Sequence, residues 1–285
     1  QSHYFLVQLF YKVLKMTVIN TNISATLTAN ALSKNERAMG QTMERLSTGL
    51  RINSAADDAA GLAISSKMTS QINGLNQAAR NSNDAISMLQ TADGAFIEIS
   101  NMLQRMRELS VQAASGTNTD DDIANLDLEF VALGASIDSI VANTQWNGMN
   151  VLDGSGGASG EFTFQVGANA TQELDVDFGD ATAGDIATAT GLATSVGSIA
   201  DVDAALGEVA TQRATYGAAI NSLEHTVDNL TNVSQNSAAS RSRIQDADYA
   251  AETTELARTQ IIQQAGTAML SQANQQAQSV LALLK

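Results

Sequence analysis

Two histidines and several groups of carboxylates are the residues of this 285-residue sequence that could support acid–base or metal chemistry. His3 lies in an aromatic-rich stretch, and His225 stands beside Glu224 with no second histidine at the spacing of a zinc site. Three consecutive aspartates at residues 120–122 lack the alternating ligands and closing glutamate of a calcium loop. Cysteine is absent, which excludes thiolate nucleophiles and thiolate metal sites. The sequence therefore predicts no catalytic, cofactor or metal site, and the chain is not expected to be an enzyme.

The carboxylates are better explained as parts of helix starts. Ser54 has the chemistry of an N-cap, and Asp57, three residues later, can accept a hydrogen bond from the cap's own amide. Its negative charge also favours the positive end of the helix dipole. This pattern predicts a helix beginning at Ala55, and the small residues that follow would let another helix approach closely from almost any side.

Composition favours long helices over a thick globular core. Aromatic residues make up only 4% of the chain and proline is absent. Alanine, serine, threonine, asparagine and glutamine dominate, which suits helices that pack through small side chains. We therefore expect an elongated, mainly helical protein.

The net charge of −15 is concentrated in the middle of the chain. Residues 69–238 carry four Lys or Arg against 22 Asp or Glu, whereas residues 16–68 carry five against four and residues 239–285 carry four against four. Such acidity repels nucleic acid, which is not an expected partner. One interpretation is that the nearly neutral ends associate with copies of themselves while the middle faces water. The alternative is that the acidity only keeps a face of the molecule solvated.

Apolar seams with members three and four residues apart indicate the first two long helices. In the first helix, predicted over residues 22–50, the seam is Met39, Met43, Leu46 and Leu50. In the second, predicted over residues 55–114, the seam is Ala85, Leu89, Ala92, Phe96, Ile99, Leu103 and Met106.

The middle of the chain predicts a third helix over residues 121–142, followed by a β-hairpin. Two short runs alternate apolar and polar side chains, which is the period of a half-buried strand. Their apolar members are Phe162, Phe164 and Val166, then Leu174, Val176 and Phe178. Residues 154–160 and 179–200 are rich in small residues and are predicted to be turns or surface loop.

The helical period returns over residues 201–233 and again from there to the end of the chain. The first of these seams is Tyr216, Ile220, Leu223, Val227 and Leu230. It is the natural antiparallel partner of the seam over residues 85–106. The two ends of the chain would form a helix pair that buries little surface, so we expect them to stay largely disordered in an isolated subunit and to fold when other copies cover them.

Residues 1–15 differ in composition from the rest of the chain, being basic and rich in aromatic residues. Their apolar run is too short to span a bilayer, and no small-residue cleavage site follows, so a secretory signal peptide is not expected. Met16 is the expected ancestral start. The segment is either an upstream extension or an amphipathic segment that docks on a surface or a neighbouring subunit.

Several long segments resemble bacterial flagellin, the subunit of the flagellar filament. The stretch LSTGLRINSAADDAAGLAISSKM from Leu46 is similar to the family's signature, and MTVINTNISATLTANALSKNE from Met16 resembles its amino terminus. NDAISMLQTADGA, RELSVQAASGTN and WNGMNVLDG follow in the family's order. SRSRIQDADYAAET and QIIQQAGTAMLSQANQQAQSVLALLK resemble its carboxyl terminus. The resemblance covers roughly residues 16–152 and 205–285.

The resemblance implies a mainly α fold: an elongated antiparallel helical coiled-coil bundle with a small β-hairpin region, whose terminal helices pair in the polymer. It implies a filament-core domain made of residues 16–58 and 241–285. It also implies a rod domain made of residues 59–200, with the hairpin and a short variable loop, and of residues 201–240. The extra outer domains that many flagellins carry between these parts must be nearly missing.

The implied function is that of a structural subunit that polymerises into the flagellar filament for motility, after export through a type III apparatus. The implied partners are other copies of the chain, the cap and hook-associated proteins and an export chaperone, at the cell surface. Apolar assembly contacts are expected at Leu27, Leu32, Met39 and Leu46, and at Ile262, Met269, Leu270 and Leu281. Arg243, Asp246 and Asp248 match the carboxyl-terminal signature and are expected to make polar contacts.

The family is also sensed by a host Toll-like receptor, and part of this sequence matches the recognised patch. Arg105, Leu109 and Glu129 are the expected anchors. Met106 belongs to the same stretch, but its place in the apolar seam favours the core.

A second hypothesis is a surface-displayed flagellin-like adhesin or receptor for cell-surface polysaccharide. The leader at residues 1–15 and the missing outer domains favour it. The acidic middle counts against it, because it would repel anionic glycans unless cations bridged them.

Overall fold

The computed structural model describes residues 21–158, 160–191 and 198–282, except for the side chains of residues 198 and 276–282. These residues divide into two compact units. The terminal unit consists of the described residues up to 66 and from 240 onward, and the central unit lies within residues 67–239. The expectations for residues 1–15 lie outside the described residues.

The described residues form six α-helices and two antiparallel β-hairpins. The helices are α1 (Ile23–Thr48), α2 (Ala59–Ala113), α3 (Asp120–Asn143), α4 (Gly184–Thr190), α5 (Ser198–Gln245) and α6 (Tyr249–Ala282). The strands are β1 (Gln145–Trp146), β2 (Met149–Asn150), β3 (Glu161–Gln165) and β4 (Glu173–Asp177). The predicted fold class, mainly α with a small antiparallel hairpin region, is confirmed. No described helix is both long enough and apolar enough to cross a membrane.

Side-chain caps define where the first and third helices begin. Asn22 accepts a hydrogen bond from the amide of Ala25 at the start of α1, and Gly49 ends that helix in the left-handed conformation. Thr119 and Asp122 cap α3 reciprocally. The acidic run at residues 120–122 thus includes a helix-capping residue.

The start of α2 differs from the prediction, because the helix begins at Ala59 rather than Ala55. Asp57 does accept a hydrogen bond from the Ser54 amide at 2.9 Å, but this contact closes a turn before the helix. The cap is Asp58, whose Oδ1 accepts from the Gly61 amide at 2.9 Å. Gly61 lies so close to Ile52 that an added Cβ would be 2.6 Å from its Cδ1. The cap is therefore an aspartate four residues after the predicted serine, and Asp57 closes the preceding turn instead of capping the helix.

The core of the central unit follows the predicted seams. All seven residues of the α2 seam, from Ala85 to Met106, are buried. Three members of the α5 seam, Tyr216, Leu223 and Leu230, are buried as well.

Contacts along α2 and α5 show that the two helices are antiparallel. The rings of Phe96 and Tyr216 lie 5.7 Å apart. On one side of them Arg107 pairs with Asp203 at 2.5 Å. On the other side, Ser234 Oγ donates to Asn76 Oδ1 at 2.8 Å. Residue numbers rise along α2 as they fall along α5, so the predicted pairing of the two seams is confirmed.

The β3–β4 hairpin closes this core with aromatic side chains. The predicted hairpin is confirmed, and its register pairs Phe162 with Val176 and Phe164 with Leu174. The Phe178 ring lies 4.9 Å from that of Phe162 and 5.5 Å from that of Tyr216. Tyr216 Oη donates to the Phe178 carbonyl at 2.7 Å, which satisfies the one polar group in this cluster.

The predicted loop over residues 179–200 is wrong in part, because α4 lies within it. Ile186 and Ala189 of α4 are buried in the same core. Glu208 of α5 accepts hydrogen bonds from the Asp185 and Ile186 amides at 3.0 and 3.1 Å, and so caps α4 from outside its own sequence. Gly134 of α3 approaches the Thr190 carbonyl closely, since an added Cβ would be 2.9 Å from that oxygen. Residues 192–197 lie outside the described residues.

The last long helix of the central unit is also longer than predicted. The sequence predicts it over residues 201–233, but α5 extends from Ser198 to Gln245. The apolar seam ends near Leu230. The residues that follow are rich in serine, asparagine and alanine, and they remain helical because none of these residues prevents a helix.

Candidate assembly interface

The two helices of the terminal unit, α1 and α6, form an antiparallel pair. Asn22 Nδ2 donates to the Ala273 carbonyl at 3.0 Å near one end of the pair. Asn35 Nδ2 donates to the Thr259 carbonyl at 2.8 Å in its middle. Arg45 pairs with Glu252 at 3.2 Å near the other end. The terminal helices therefore pair within a single chain, whereas the sequence and the resemblance predict that they pair in the polymer.

The seam between α1 and α6 is largely polar. Asn35, Thr42 and Thr259 are its buried side chains, and Asn35 is only 9% exposed. Leu32, Met39 and Leu46 share this side of α1 at seven-residue intervals but are only half-buried. Among the described residues of this unit, Ile52 is the one large apolar side chain that is fully buried. The pair therefore has almost no apolar core of its own.

The seam predicted for the first helix is wrong at one position. Met43 is exposed, and Thr42 takes its place against α6. The spacing of three and four residues is satisfied equally by Leu32, Asn35, Met39, Thr42 and Leu46. A rule that follows apolar residues alone selects Met43 because it does not consider a polar seam.

Apolar side chains that lie outside the α1–α6 seam remain exposed on the surface of the terminal unit. Leu27 is 70% exposed and Met269 is 62% exposed. The other large ones are Ile23, Met43, Ile64, Tyr249, Ile261 and Ile262. Single exposed apolar residues are ordinary, but this many on a unit without a core indicates a surface that is completed by another molecule.

The structure separates the predicted apolar assembly residues into two groups. Leu27, Ile262 and Met269 are exposed and available to another molecule. The second group is half-buried, because contacts within the chain already cover part of each side chain. It contains Leu32, Met39, Leu46 and Leu270. The side chain of Leu281 lies outside the described residues.

The three predicted polar contacts have partners within the chain. Asp248 Oδ1 accepts from the amides of Ala250 and Ala251 at 3.0 and 3.3 Å and so caps α6. Asp246 Oδ2 accepts from Ser242 Oγ at 2.6 Å. Arg243 donates to Ser240 Oγ at 3.1 Å. All three are exposed, so an additional contact from another copy is sterically open to them.

The expected host-receptor anchors lie in the central unit, and the structure separates them. Arg105 donates to Glu129 at 2.8 Å and to Glu108 at 2.8 Å. These hydrogen bonds, the one to Glu129 foremost, raise the pKa of Arg105 above its ordinary value. Leu109 is only 1% exposed, because the α2 seam continues past Met106 and includes it. A surface anchor at Leu109 is therefore not available in this conformation.

Among the described residues, no group of three His, Cys, Asp or Glu side chains is placed to hold a metal ion. The low pKa of Asp57 has a local cause, chiefly the hydrogen bond from the Ser54 amide. The low pKa of Asp122 comes first from the Thr119 hydroxyl. The perturbed carboxylates at these helix starts thus have structural partners.

The contacts that sequence reasoning missed are the polar ones between α1 and α6. Asn35 and Thr42 carry a usable signal, since both fall at seam spacing with Leu32, Met39 and Leu46. The Arg45–Glu252 pair carries no such signal, because 207 residues separate its members.

Fold and surface together define a mainly α structural protein in which α1 and α6 are paired across polar groups and expose apolar side chains. The family model for the bacterial flagellin N-terminal helical region matches residues 19–156, and that for the C-terminal helical region matches residues 199–284. The chain belongs to the bacterial flagellin family. It is a structural subunit of the flagellar filament, and the second hypothesis, a surface adhesin, has no support from these comparisons.

Relatives of similar length match almost the whole chain. The flagellin of Bacillus subtilis is 44% identical, with 94% of this chain and 99% of the relative aligned. The flagellar filament 33 kDa core protein of Treponema phagedenis is 41% identical, with 94% of this chain and 100% of the relative aligned. The solved structure of Bacillus cereus flagellin is 34% identical, with a TM-score of 0.47 over 57% of this chain and 94% of that one.

Proposed function

We propose that the chain polymerises through its terminal helices, so that the exposed apolar side chains of α1 and α6 are buried against neighbouring copies. The observation that carries this proposal is the contrast between Leu27 and Met269, which are exposed, and Asn35 and Thr259, which occupy the seam. A stable isolated helix pair buries its apolar side chains in the seam and exposes its polar ones, and this pair has the reverse distribution. In the polymer, the apolar side would become the interior.

Charge supports the same arrangement. Residues 16–68 and 239–285 are close to neutral, so copies of the terminal unit can approach without strong repulsion. The central unit carries the acidic excess and is proposed to face solvent. Residues 16–58 with 241–285 would then form the filament core, and residues 59–240 the rod. A heterologous contact that does not close on itself gives an open helical polymer.

Seeded polymerisation tests this proposal. Leu27→Ser and Met269→Ser each remove one exposed apolar side chain, and full burial of such a side chain is worth about 1.5–3 kcal/mol. We expect the critical concentration to rise roughly 10- to 100-fold in each variant. The matched control is Ala29→Ser, an exposed neighbour on α1 with little apolar area to lose.

The proposal is contradicted if Leu27→Ser and Met269→Ser assemble at the same critical concentration as the parent chain. A defect that appears equally in Ala29→Ser would indicate a general effect on the helix. Circular dichroism of the soluble variants should be unchanged, because neither side chain contributes to a buried core.

The same apolar surface suits the partners that handle a flagellin before and after assembly. We propose an export chaperone that covers α6 in the unassembled subunit, and cap and hook-associated proteins that contact the terminal helices at the ends of an extracellular filament. Co-purification of a chaperone with the parent chain, and its loss on Met269→Ser, would support the first contact. Equal retention would argue against it.

Recognition by a host Toll-like receptor is proposed to involve Arg105 and Glu129, whose side chains are about half exposed. Both carry charge on the α2–α3 surface of the central unit. Arg105→Ala and Glu129→Ala should each weaken binding of the chain to a soluble receptor ectodomain, whereas Arg80→Ala, a change at another exposed arginine of α2, should not. Unchanged binding in both variants would remove the proposal.

A further inference from the structure

The packing of the α1–α6 seam distinguishes its registers only weakly. Leu32, Met39 and Leu46 recur every seven residues on α1, and Thr259, Gly266 and Ala273 recur every seven residues on α6. A slide of seven residues, about 10 Å along the axis, would therefore again bring small residues against the α1 seam. The change would be sharpest at Leu32, which would meet a Cβ where it now approaches Gly266.

The hydrogen bonds from the two asparagines do not set the register either. Asn22 and Asn35 both donate to backbone carbonyls, those of Ala273 and Thr259. Every turn of a helix presents such carbonyls, so either amide could find an equivalent acceptor after a slide. These bonds hold the helices close together without identifying which turns meet.

The backbone contacts between the residues just after α1 and those just before α6 do not depend on side-chain identity either. Leu50 and Asp246 form a β-bridge, and the Ala247 amide donates to the Gly49 carbonyl at 2.9 Å. Backbone pairing of this kind takes its register from the side chains beside it.

One polar contact between the helices depends strongly on residue identity. Arg45 Nη1 lies 3.2 Å from Glu252 Oε1, and the Glu252 side chain is only 13% exposed. Arg45 is in the last turn of α1 and Glu252 in the first turn of α6, where the helix dipoles favour these charges. Separation would leave a largely buried carboxylate without its partner, which is strongly unfavourable.

No slide of α6 gives Arg45 an equally good partner. A shift of seven residues would place it opposite Thr259 or Gln245, which carry no charge. A shift of three would bring it toward Glu255, whose carboxylate already pairs with Arg258 on the same helix. A shift of four in the other direction would bring it toward Asp248, whose exposed carboxylate already caps α6.

We infer that the Arg45–Glu252 ion pair is the contact that sets the register of the terminal helices. The inference rests on the proposed function, because that register determines which apolar side chains each subunit offers to its neighbours. Arg45 and Glu252 are positioning residues: they act by aligning α1 with α6.

Cysteine cross-linking in filaments measures the register directly, since the chain contains no cysteine of its own. The native register is reported by L32C/G266C, because a Cβ added at Gly266 would lie 3.3 Å from Leu32 Cδ1. L32C/A273C and A25C/G266C report slides of seven residues in the two directions. Each pair is built into the parent chain, Arg45→Glu, Glu252→Arg and the charge-swapped double variant R45E/E252R.

In the parent chain we expect the native cross-link alone. Each single reversal places like charges together, so the native cross-link should be lost or accompanied by a shifted one. The double variant should restore most of the native yield, though not all of it, because the swapped charges oppose the helix dipoles. Arg37→Glu, at an exposed arginine of α1 whose hydrogen bond among the described residues goes to Ser33 of its own helix, is the matched control and should behave like the parent.

The inference is overturned if Arg45→Glu filaments give the native cross-link at the parent yield, or if the double variant is no better than the single reversals. A single variant that fails to enter filaments is judged by the double variant, which should recover entry. A parent chain that never polymerises would remove the proposed function instead. In that case the same cysteine cross-linking, carried out on the soluble chains, tests the register independently of the proposed function.

Discussion

In the central unit, helices meet across a continuous set of buried apolar side chains, whereas in the terminal unit they meet across buried amides and hydroxyls. The central core holds Phe96, Phe130, Phe178 and Tyr216 with almost no exposure. The buried side chains between α1 and α6 are Asn35, Thr42 and Thr259. The hydrophobic effect is proportional to the apolar area removed from water, so the central unit can be stable alone. The terminal unit is proposed to need surface from other copies.

The largest predicted effect tests the central unit. Phe178→Ala removes a fully buried ring that contacts Phe162, Phe164 and Tyr216, and should lower the free energy of unfolding by about 3–5 kcal/mol. Urea denaturation of the soluble chain, followed by circular dichroism, measures this loss. Met39→Ala in the terminal unit should leave the same transition unchanged. Equal losses from the two substitutions would break the distinction between the units.

A smaller effect is expected from the one buried hydroxyl in the aromatic cluster. Tyr216→Phe leaves the Phe178 carbonyl without its donor, which should cost about 1–3 kcal/mol. Burial raises the pKa of Tyr216. The parent chain should therefore lose stability as the pH rises above the ordinary tyrosine value near 10. The Tyr216→Phe chain should show less of this alkaline loss, and an identical loss would contradict the account.

Ion pairs on the surface of the central unit should contribute less than its core. Arg107 and Asp203 are both about half exposed, so Arg107→Ala should destabilise the chain far less than Phe178→Ala, and added salt should reduce the difference from the parent. Arg80→Ala is the control, because the partner of Arg80 within the described part of the chain is Gln77 of its own helix. A loss as large as that of Phe178→Ala would show that electrostatics, rather than packing, stabilises the unit.

The smallest effect concerns the exposed carboxylates at the helix starts. Asp57 and Asp122 have lowered pKa values, so their contributions are present above the ordinary aspartate pKa near 3.9 and are lost as the pH falls through the lower folded value. NMR titration should give both midpoints below the ordinary value. Thr119→Ala should raise the midpoint of Asp122 and leave that of Asp57 unchanged. A shift in both would mean that the cause is not the local cap.

The sequence predicts the central unit well because its periodic apolar residues are also its buried ones. The seam from Ala85 to Met106 and the presence of the β3–β4 hairpin both follow from spacing. The expectation of a surface anchor at Leu109 comes from the resemblance instead, and the structure places that side chain in the core. Helix α4 lies in a stretch whose composition predicts a loop, and its cap, Glu208, lies on another helix.

The terminal unit is less predictable from periodicity for a physical reason. Its helices are correctly expected, but its seam uses Asn35 and Thr42 where an apolar rule selects Met43. Contacts such as Arg45–Glu252 join residues far apart in the chain and become visible only when α1 and α6 are placed side by side.

Amide hydrogen exchange, compared between soluble subunits and filaments, tests the central claim most directly. In soluble subunits we expect rapid exchange over α1 and α6 and strong protection over the buried parts of α2 and α5 in the central unit. In filaments, α1 and α6 should become as protected as the central unit. Terminal helices already as protected in the soluble subunit as the central unit would contradict the claim that other copies complete them.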